Sequence, residues 1–190
     1  MENVNFVNMH RYQAIERVVY QKVKEWKPKT IVELGHGSGA LTSAMGLALK
    51  EINNGGKIHS YDINGTTNYT LGSMSQSALR NIKERKLTDI VEFTEGDVFD
   101  TWVENPFSFD LLVIDINNTW NMLYNILVGN DFINNEIKNG SKILIEGGDP
   151  NHPRINQNTL EFFNNSCGET IFTMKHLEGS GRTSISTIEI

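Results

Sequence analysis

"IVELGHGSGALTSAM", residues 31–45, is an apolar run that ends near an acid, turns on three glycines and opens into a helix-compatible segment. A buried strand that passes through a tight turn straight into a helix is the first half of a wound α/β unit. The rest of the chain repeats that alternation. Downstream, "KIHSYDI" (57–63), "DIVEFTEG" (89–96), "FDLLVIDI" (109–116) and "SKILIEG" (141–147) are short apolar runs that predict four more strands. Helices are expected at residues 10–26, 39–50, 72–86, 119–137 and 156–165, where apolar side chains recur at helical spacing. "ETIFTMKHL" (169–177) and "RTSISTIEI" (182–190) flank Glu178-Gly179-Ser180-Gly181, a hairpin signal.

Nearly continuous apolar strands alternating with helices imply a parallel sheet covered on both faces. The expected fold is therefore α/β and doubly wound. Its sheet is mostly parallel and seven-stranded, with a closing antiparallel hairpin. At 190 residues, with no internal repeat and no linker, the chain reads as one domain. A helical segment at 1–28 precedes a Rossmann-like core at 29–190.

Composition narrows the function classes. The net charge is −6 and the basic residues are dispersed, which argues against a nucleic-acid partner, since such binding depends on Lys and Arg neutralising phosphates. No apolar window is long enough to span a membrane. The N-terminal stretch lacks the basic start and apolar run of a signal peptide. Cys167 is the one cysteine, so no intrachain disulfide forms. A cytoplasmic location is expected.

The glycine spacing fits two ligands. Gly35-x-Gly37-x-x-Ala40 satisfies a loose dinucleotide fingerprint, and Gly35-x-Gly37-x-Gly39 satisfies a tighter one. Glu33 separates them. A pyrophosphate seeks the positive end of the following helix, and a carboxylate close by opposes it. A sulfonium nucleoside with an ammonium group, S-adenosylmethionine, is favoured by that acid. Asp62 ends the second strand, 23 residues after Gly39, where a carboxylate can accept ribose hydroxyls. Asp97 follows the third strand and can accept from an adenine amino group, with Val98 packing near the ring. His36, inside the turn, is expected to face cofactor or solvent. Hydride chemistry lacks a Tyr-x-x-x-Lys pair after the turn, and no Gly-Lys-Ser/Thr supports a triphosphate loop.

"ELGHGSG", "SYDI", "EGDVFD" and "FDLLVIDI", in this order, resemble the class I S-adenosylmethionine-dependent methyltransferases from about residue 29 to the end. The resemblance implies that Glu33, Gly35, Gly37 and Gly39 surround the methionine portion, Asp62 the ribose and Asp97 the adenine. The region after strands four and five is similar to small-molecule O-methyltransferases, including sugar-modifying ones. It implies a role for Asp115 at the cofactor and in catalysis, and a magnesium site of Asp115 and Glu146. Gly147 stands where a second acid normally follows Glu146, so Asp149 is the candidate third ligand. Relatives with Asp-x-x-His-x-Tyr after strand four are matched only at the acid, since Asn118 and Trp120 occupy the other two places. His152, in the 147–156 loop, is the candidate general base, because imidazole titrates near neutrality.

The expectation is an enzyme that transfers the methyl group of S-adenosylmethionine to a small-molecule hydroxyl, that of a sugar or another metabolite. A short N-terminal segment and an uninterrupted sheet leave little chain for an acceptor lid, which favours either an open site or one that a second copy completes as a homodimer. The alternatives are an S-adenosylmethionine-binding partner subunit without catalysis, and an RNA methyltransferase.

Overall fold

The computed structural model describes residues 13–64, 74–116, 119–149, 173–180 and 183–189. Its sheet has seven strands: β1 (Thr30–Leu34), β2 (Lys57–Asp62), β3 (Val91–Glu95), β4 (Leu111–Ile114), β5 (Lys142–Glu146), β6 (Thr173–Ser180) and β7 (Thr183–Glu189). They lie in the order β3-β2-β1-β4-β5-β7-β6. The first five are parallel, whereas β7 runs antiparallel to both β5 and β6.

β1 and β4 lie centrally, and every residue of β4 is buried. A strand buried on both faces must be apolar throughout, which is why "LLVI" carries no alternation. The chain reverses strand order between β1 and β4. In an open α/β sheet that reversal opens a crevice at the carboxyl ends of the strands.

Each face has its own apolar layer. On one, Ile31, Leu111, Val113 and Leu144 of the sheet meet α1 (Gln13–Trp26) and α2 (Ala40–Ile52) through Val19, Met45 and other buried side chains. On the other, Val32, Leu112 and Ile143 meet α4 (Trp120–Leu127) and α5 (Asp131–Lys138), with Trp102 filling the space beside Tyr61. Glu33 takes the next position after Val32 and therefore faces the α1–α2 side, in register with Ser60 of β2 and Val113 of β4. A helix α3 (Met74–Glu84) stands beside α2. The contact is close at Gly39, where a Cβ would come within 2.8 Å of Ala78 Cα.

Three local expectations change. The helix expected over 119–137 is two helices, interrupted at Val128-Gly129-Asn130. The Asn130 side chain accepts from Ile133 N at 3.0 Å and starts α5 afresh, so a local cap overrides the continuous apolar period. A π-helical turn, Phe99–Val103, follows β3, and it buries Trp102 and Val103. The hairpin strands extend through Ser180 and from Thr183, so Glu178-Gly179-Ser180 is strand rather than turn, with an irregularity between His176 and Glu178. The helix expected at 156–165 lies outside the described residues. No described helix is long and apolar enough to cross a membrane.

Candidate active site

The crevice is built around the glycine turn between β1 and α2. Gly35, Gly37 and Gly39 all adopt positive φ, at 87°, 47° and 75°. Such values are readily adopted only by glycine. Gly35 is also cramped, because a Cβ there would stand 2.1 Å from the Asp115 carbonyl oxygen. The space beside Gly37 is open, with nothing within 4 Å of an added Cβ. Gly39 precedes α2 without any side-chain cap, so the first turn of that helix presents its N–H groups uncapped.

Asp62, at the end of β2, holds the turn in shape. Its Oδ2 accepts from His36 N at 3.1 Å and Gly37 N at 3.0 Å, and its Oδ1 accepts from Asn64 N at 2.9 Å. Gly35 N donates to the Tyr61 carbonyl at 2.7 Å, and Gly96 N to the Asp62 carbonyl at 3.0 Å. These bonds bring the first, second and third strand ends together. The carboxylate expected at the ribose is thus first a staple of the glycine turn.

Asp97 is exposed at the same edge, where its Oδ1 accepts from Phe99 N at 2.9 Å and caps the π-helical turn. Val98 is buried in the apolar layer that also holds Tyr61 and Trp102. Ile63 is 64% exposed directly after Asp62. A large apolar side chain left in water at a crevice mouth is a natural surface for a ligand ring, and the sequence reading missed it. Its signal is only visible once Asp62 is known to end the strand.

Glu33 differs most from expectation. It lies beneath the turn and is fully buried, not at its mouth. Its Oε2 accepts from Thr42 Oγ1 at 2.7 Å and from Ser60 Oγ at 2.6 Å, while Oε1 is buried with no partner among the described residues. Burial pushes its pKa up to about 8, against the pull of the two hydroxyls, and the charges of Asp115 and Asp62 push the same way. His36 is likewise turned inward. Only 3% exposed, its ring stands edge-on to Phe93 with centroids 4.7 Å apart, and burial lowers its pKa, so the imidazole is neutral. The expectation that His36 faces cofactor or solvent is corrected by that packing.

Asp115 directly follows β4 and Glu146 ends the adjacent β5, and their side chains hydrogen-bond to one another. Two carboxyl groups bond in this way only by sharing a proton. Burial raises both pKa values, and the Asp115 charge raises that of Glu146 further, so the pair holds one proton between them. Asp149 is buried against β7, with its N–H donating to Ser184 Oγ at 3.1 Å. Among the described residues no three His, Cys, Asp or Glu side chains converge to hold a metal ion. Of the expected magnesium set, Asp115 and Glu146 are brought together and hydrogen-bond to one another, while Asp149 lies against β7. His152, Asn117, Asn118, Arg154 and Arg182 lie outside the described residues, as does the Trp120 side chain.

A glycine turn stapled to a strand-end acid, at the switch point of a 3-2-1-4-5-7-6 sheet with an antiparallel β7, defines the class I S-adenosylmethionine-dependent methyltransferase fold. Residues 32–134 match the family model described as a methyltransferase domain. The chain belongs to that family. Solved structures agree in fold. The S-adenosylhomocysteine-bound methyltransferase PaMTH1 of Podospora anserina is 18% identical, with a TM-score of 0.64 over 92% of this chain and 77% of that one. An O-methyltransferase of Bacillus cereus in complex with S-adenosylhomocysteine is 18% identical, with a TM-score of 0.63 over 93% and 80%. TomG of Streptomyces achromogenes, an O-methyltransferase of tomaymycin synthesis in complex with S-adenosylmethionine, is 16% identical, with a TM-score of 0.61 over 93% and 79%. No curated protein sequence matches the chain.

Proposed function

We propose that this protein transfers the methyl group of S-adenosylmethionine to a hydroxyl of a small-molecule acceptor. The observation that carries this reading is the acidic character of the crevice. Glu33, Asp62, Asp115 and Glu146 lie at or beneath the carboxyl ends of β1, β2, β4 and β5, the place where a dinucleotide would bring two phosphates. Acids so placed suit a nucleoside that is cationic. The fold-level likeness to proteins solved with S-adenosylmethionine or S-adenosylhomocysteine supports the same cofactor, and the O-methyltransferases among them support oxygen as the nucleophile.

In this reading Gly35, Gly37 and Gly39 shape the turn around the methionine portion. Asp62 meets the ribose with the lone pairs left by its backbone bonds, while Asp97, Val98 and Ile63 border the adenine. The donor methyl is already activated by the sulfonium, so the protein's task is alignment and removal of one proton. Asp115 is the proposed proton acceptor. Glu146 donates to it and carries the pair's resident proton, which leaves Asp115 ionised and able to accept from the acceptor hydroxyl. His152 is the other candidate for that task. A divalent ion would need to displace the shared proton and find further oxygen ligands. That donor set is incomplete among the described residues.

Calorimetric titration with S-adenosylmethionine, S-adenosylhomocysteine and NAD is the test, followed by a screen of hydroxylated acceptors that monitors S-adenosylhomocysteine formation. Binding of the first two ligands and not of NAD is expected, and binding of NAD alone overturns the proposal. With an acceptor in hand, turnover is expected to survive prolonged treatment with EDTA. Loss of activity that magnesium restores would return the metal to Asp115 and Glu146.

A further inference from the structure

We propose that binding of the cationic cofactor expels a proton from Glu33, so that the glycine turn senses cofactor charge through the carboxyl group buried beneath it. This inference rests on the cofactor reading above and deepens it.

The geometry supplies the argument. Glu33 is fully buried, yet its hydrogen bonding is lopsided: Thr42 and Ser60 both donate to Oε2, and Oε1 has no partner among the described residues. An ionised carboxylate in that position has one oxygen without any donor, whereas a protonated carboxyl keeps its charge at zero and still accepts from both hydroxyls on the other oxygen. Among the described residues no cation compensates. From β2 the titratable neighbour is Asp62, from β4 it is Asp115, with Glu146 of β5 behind it, and from the turn itself it is His36, which burial keeps neutral. α2 contributes the Thr42 hydroxyl and, over Ala40–Leu49, no charged side chain. The described charges acting on Glu33, those of Asp115 and Asp62, are both negative, and with burial they push its pKa up to about 8.

A sulfonium nucleoside changes that balance. It brings a sulfonium, an ammonium and a carboxylate, one net positive charge, into a crevice of acids, and an added positive charge favours the ionised form of a nearby carboxyl. The proton then leaves to solvent, and Glu33 becomes the counter-charge. Because the transfer reaction removes the sulfonium charge, the product holds one positive charge fewer, and the carboxyl is less strongly held in its ionised form. Retention of the cofactor and release of the product are then biased by the same buried group.

The experiment is calorimetric titration of the whole chain with S-adenosylmethionine in buffers of different ionisation enthalpy. At pH 7 close to one proton is expected to be released per cofactor, falling toward zero by pH 9, and the dissociation constant is expected to tighten about tenfold per pH unit between pH 6 and 7.5. Glu33→Gln keeps the shape and removes the titration, so its proton release is expected to vanish and its pH dependence to flatten. Should that variant fail to fold, Thr42→Val is the second test. Removing one donor to Oε2 is expected to move the midpoint of proton release to higher pH. Cofactor binding with no dependence on buffer, or equal proton release by Glu33→Gln, overturns the inference while leaving the cofactor reading intact. Failure of the cofactor to bind at any pH removes both.

Discussion

At the scale of single residues the glycine turn makes separable predictions. Gly35 and Gly37 both have positive φ, but only Gly35 is walled in, by the Asp115 backbone. Gly35→Ala combines left-handed strain with a backbone overlap, so a loss of at least about 3 kcal/mol is expected, visible as low yield or a collapsed melting temperature. Gly37→Ala meets none of the described residues and should cost only about 1 kcal/mol, leaving a folded chain. On the proposed reading its methyl group instead enters the space taken by the cofactor. Titration of that variant with S-adenosylmethionine is expected to show affinity weakened by an order of magnitude or more, and unchanged affinity would mean that the turn does not face the cofactor. The glycines, Asp62 and Asp97 were legible in the sequence because strand-turn-helix order fixes which ends of the strands they occupy. The true setting of Glu33 was not. Its place beneath the turn depends on the register that puts Ser60 beside it and on the α2 face that supplies Thr42, and neither pairing has a local signature. His36 was misplaced for the same reason, since Phe93 is far away in the chain and adjacent only in the folded sheet.

At the scale of elements, the interruption between α4 and α5 carries more than a change of direction. Asn130 accepts from Ile133 N at 3.0 Å and donates from Nδ2 to the Val103 carbonyl at 2.7 Å, so one side chain both starts α5 and ties it to the π-helical turn that buries Trp102. Apolar periodicity passes smoothly through residues 119–137, and that period alone suggested one helix. The break follows from Gly129 and the cap, local chemistry that competes with the period and wins. Asn130→Ala removes both bonds. A cost of about 1–2 kcal/mol is expected, with a melting temperature lower by about 4 °C, whereas Asn130→Asp keeps the cap and should lose less. Equal losses for the two variants would assign the effect to the Val103 bond instead. The five parallel strands were readable because each is a short apolar run. The extent of the hairpin was not, because Gly179 and Ser180 look like turn residues and yet pair with Ser184 and Thr183.

At the scale of the molecule, buried acids tie stability to pH. Besides Glu33, Glu16 of α1 is fully buried with neither carboxylate oxygen partnered among the described residues, and burial pushes its pKa up to about 7 although the Arg85 charge opposes this. Asp115 and Glu146 are raised as well. In each case the folded state holds its proton to a higher pH than the unfolded chain does. The stability these groups confer is therefore complete below the ordinary carboxylate range and is lost as pH rises through the folded values, about 7 for Glu16 and about 8 for Glu33. His36 acts in the opposite sense, because its lowered pKa costs stability as pH falls below the ordinary imidazole range. The cofactor-free protein should accordingly be more stable at pH 6 than at pH 9, with its melting temperature falling steadily across that range. Scanning calorimetry across that range is the check, and a flat or rising profile would contradict the protonation states assigned to the core. Glu16→Gln is the sharper version, because Glu16 lies in α1, outside the set of acids at the strand ends. That variant should flatten the profile near pH 7 while leaving the cofactor-linked proton of Glu33 in place. A core that is least stable when its acids ionise is one that a cationic ligand can stabilise most at alkaline pH. The gain in melting temperature on adding S-adenosylmethionine should therefore be larger at pH 8 than at pH 6, and the reverse order would separate the cofactor from these carboxyl groups.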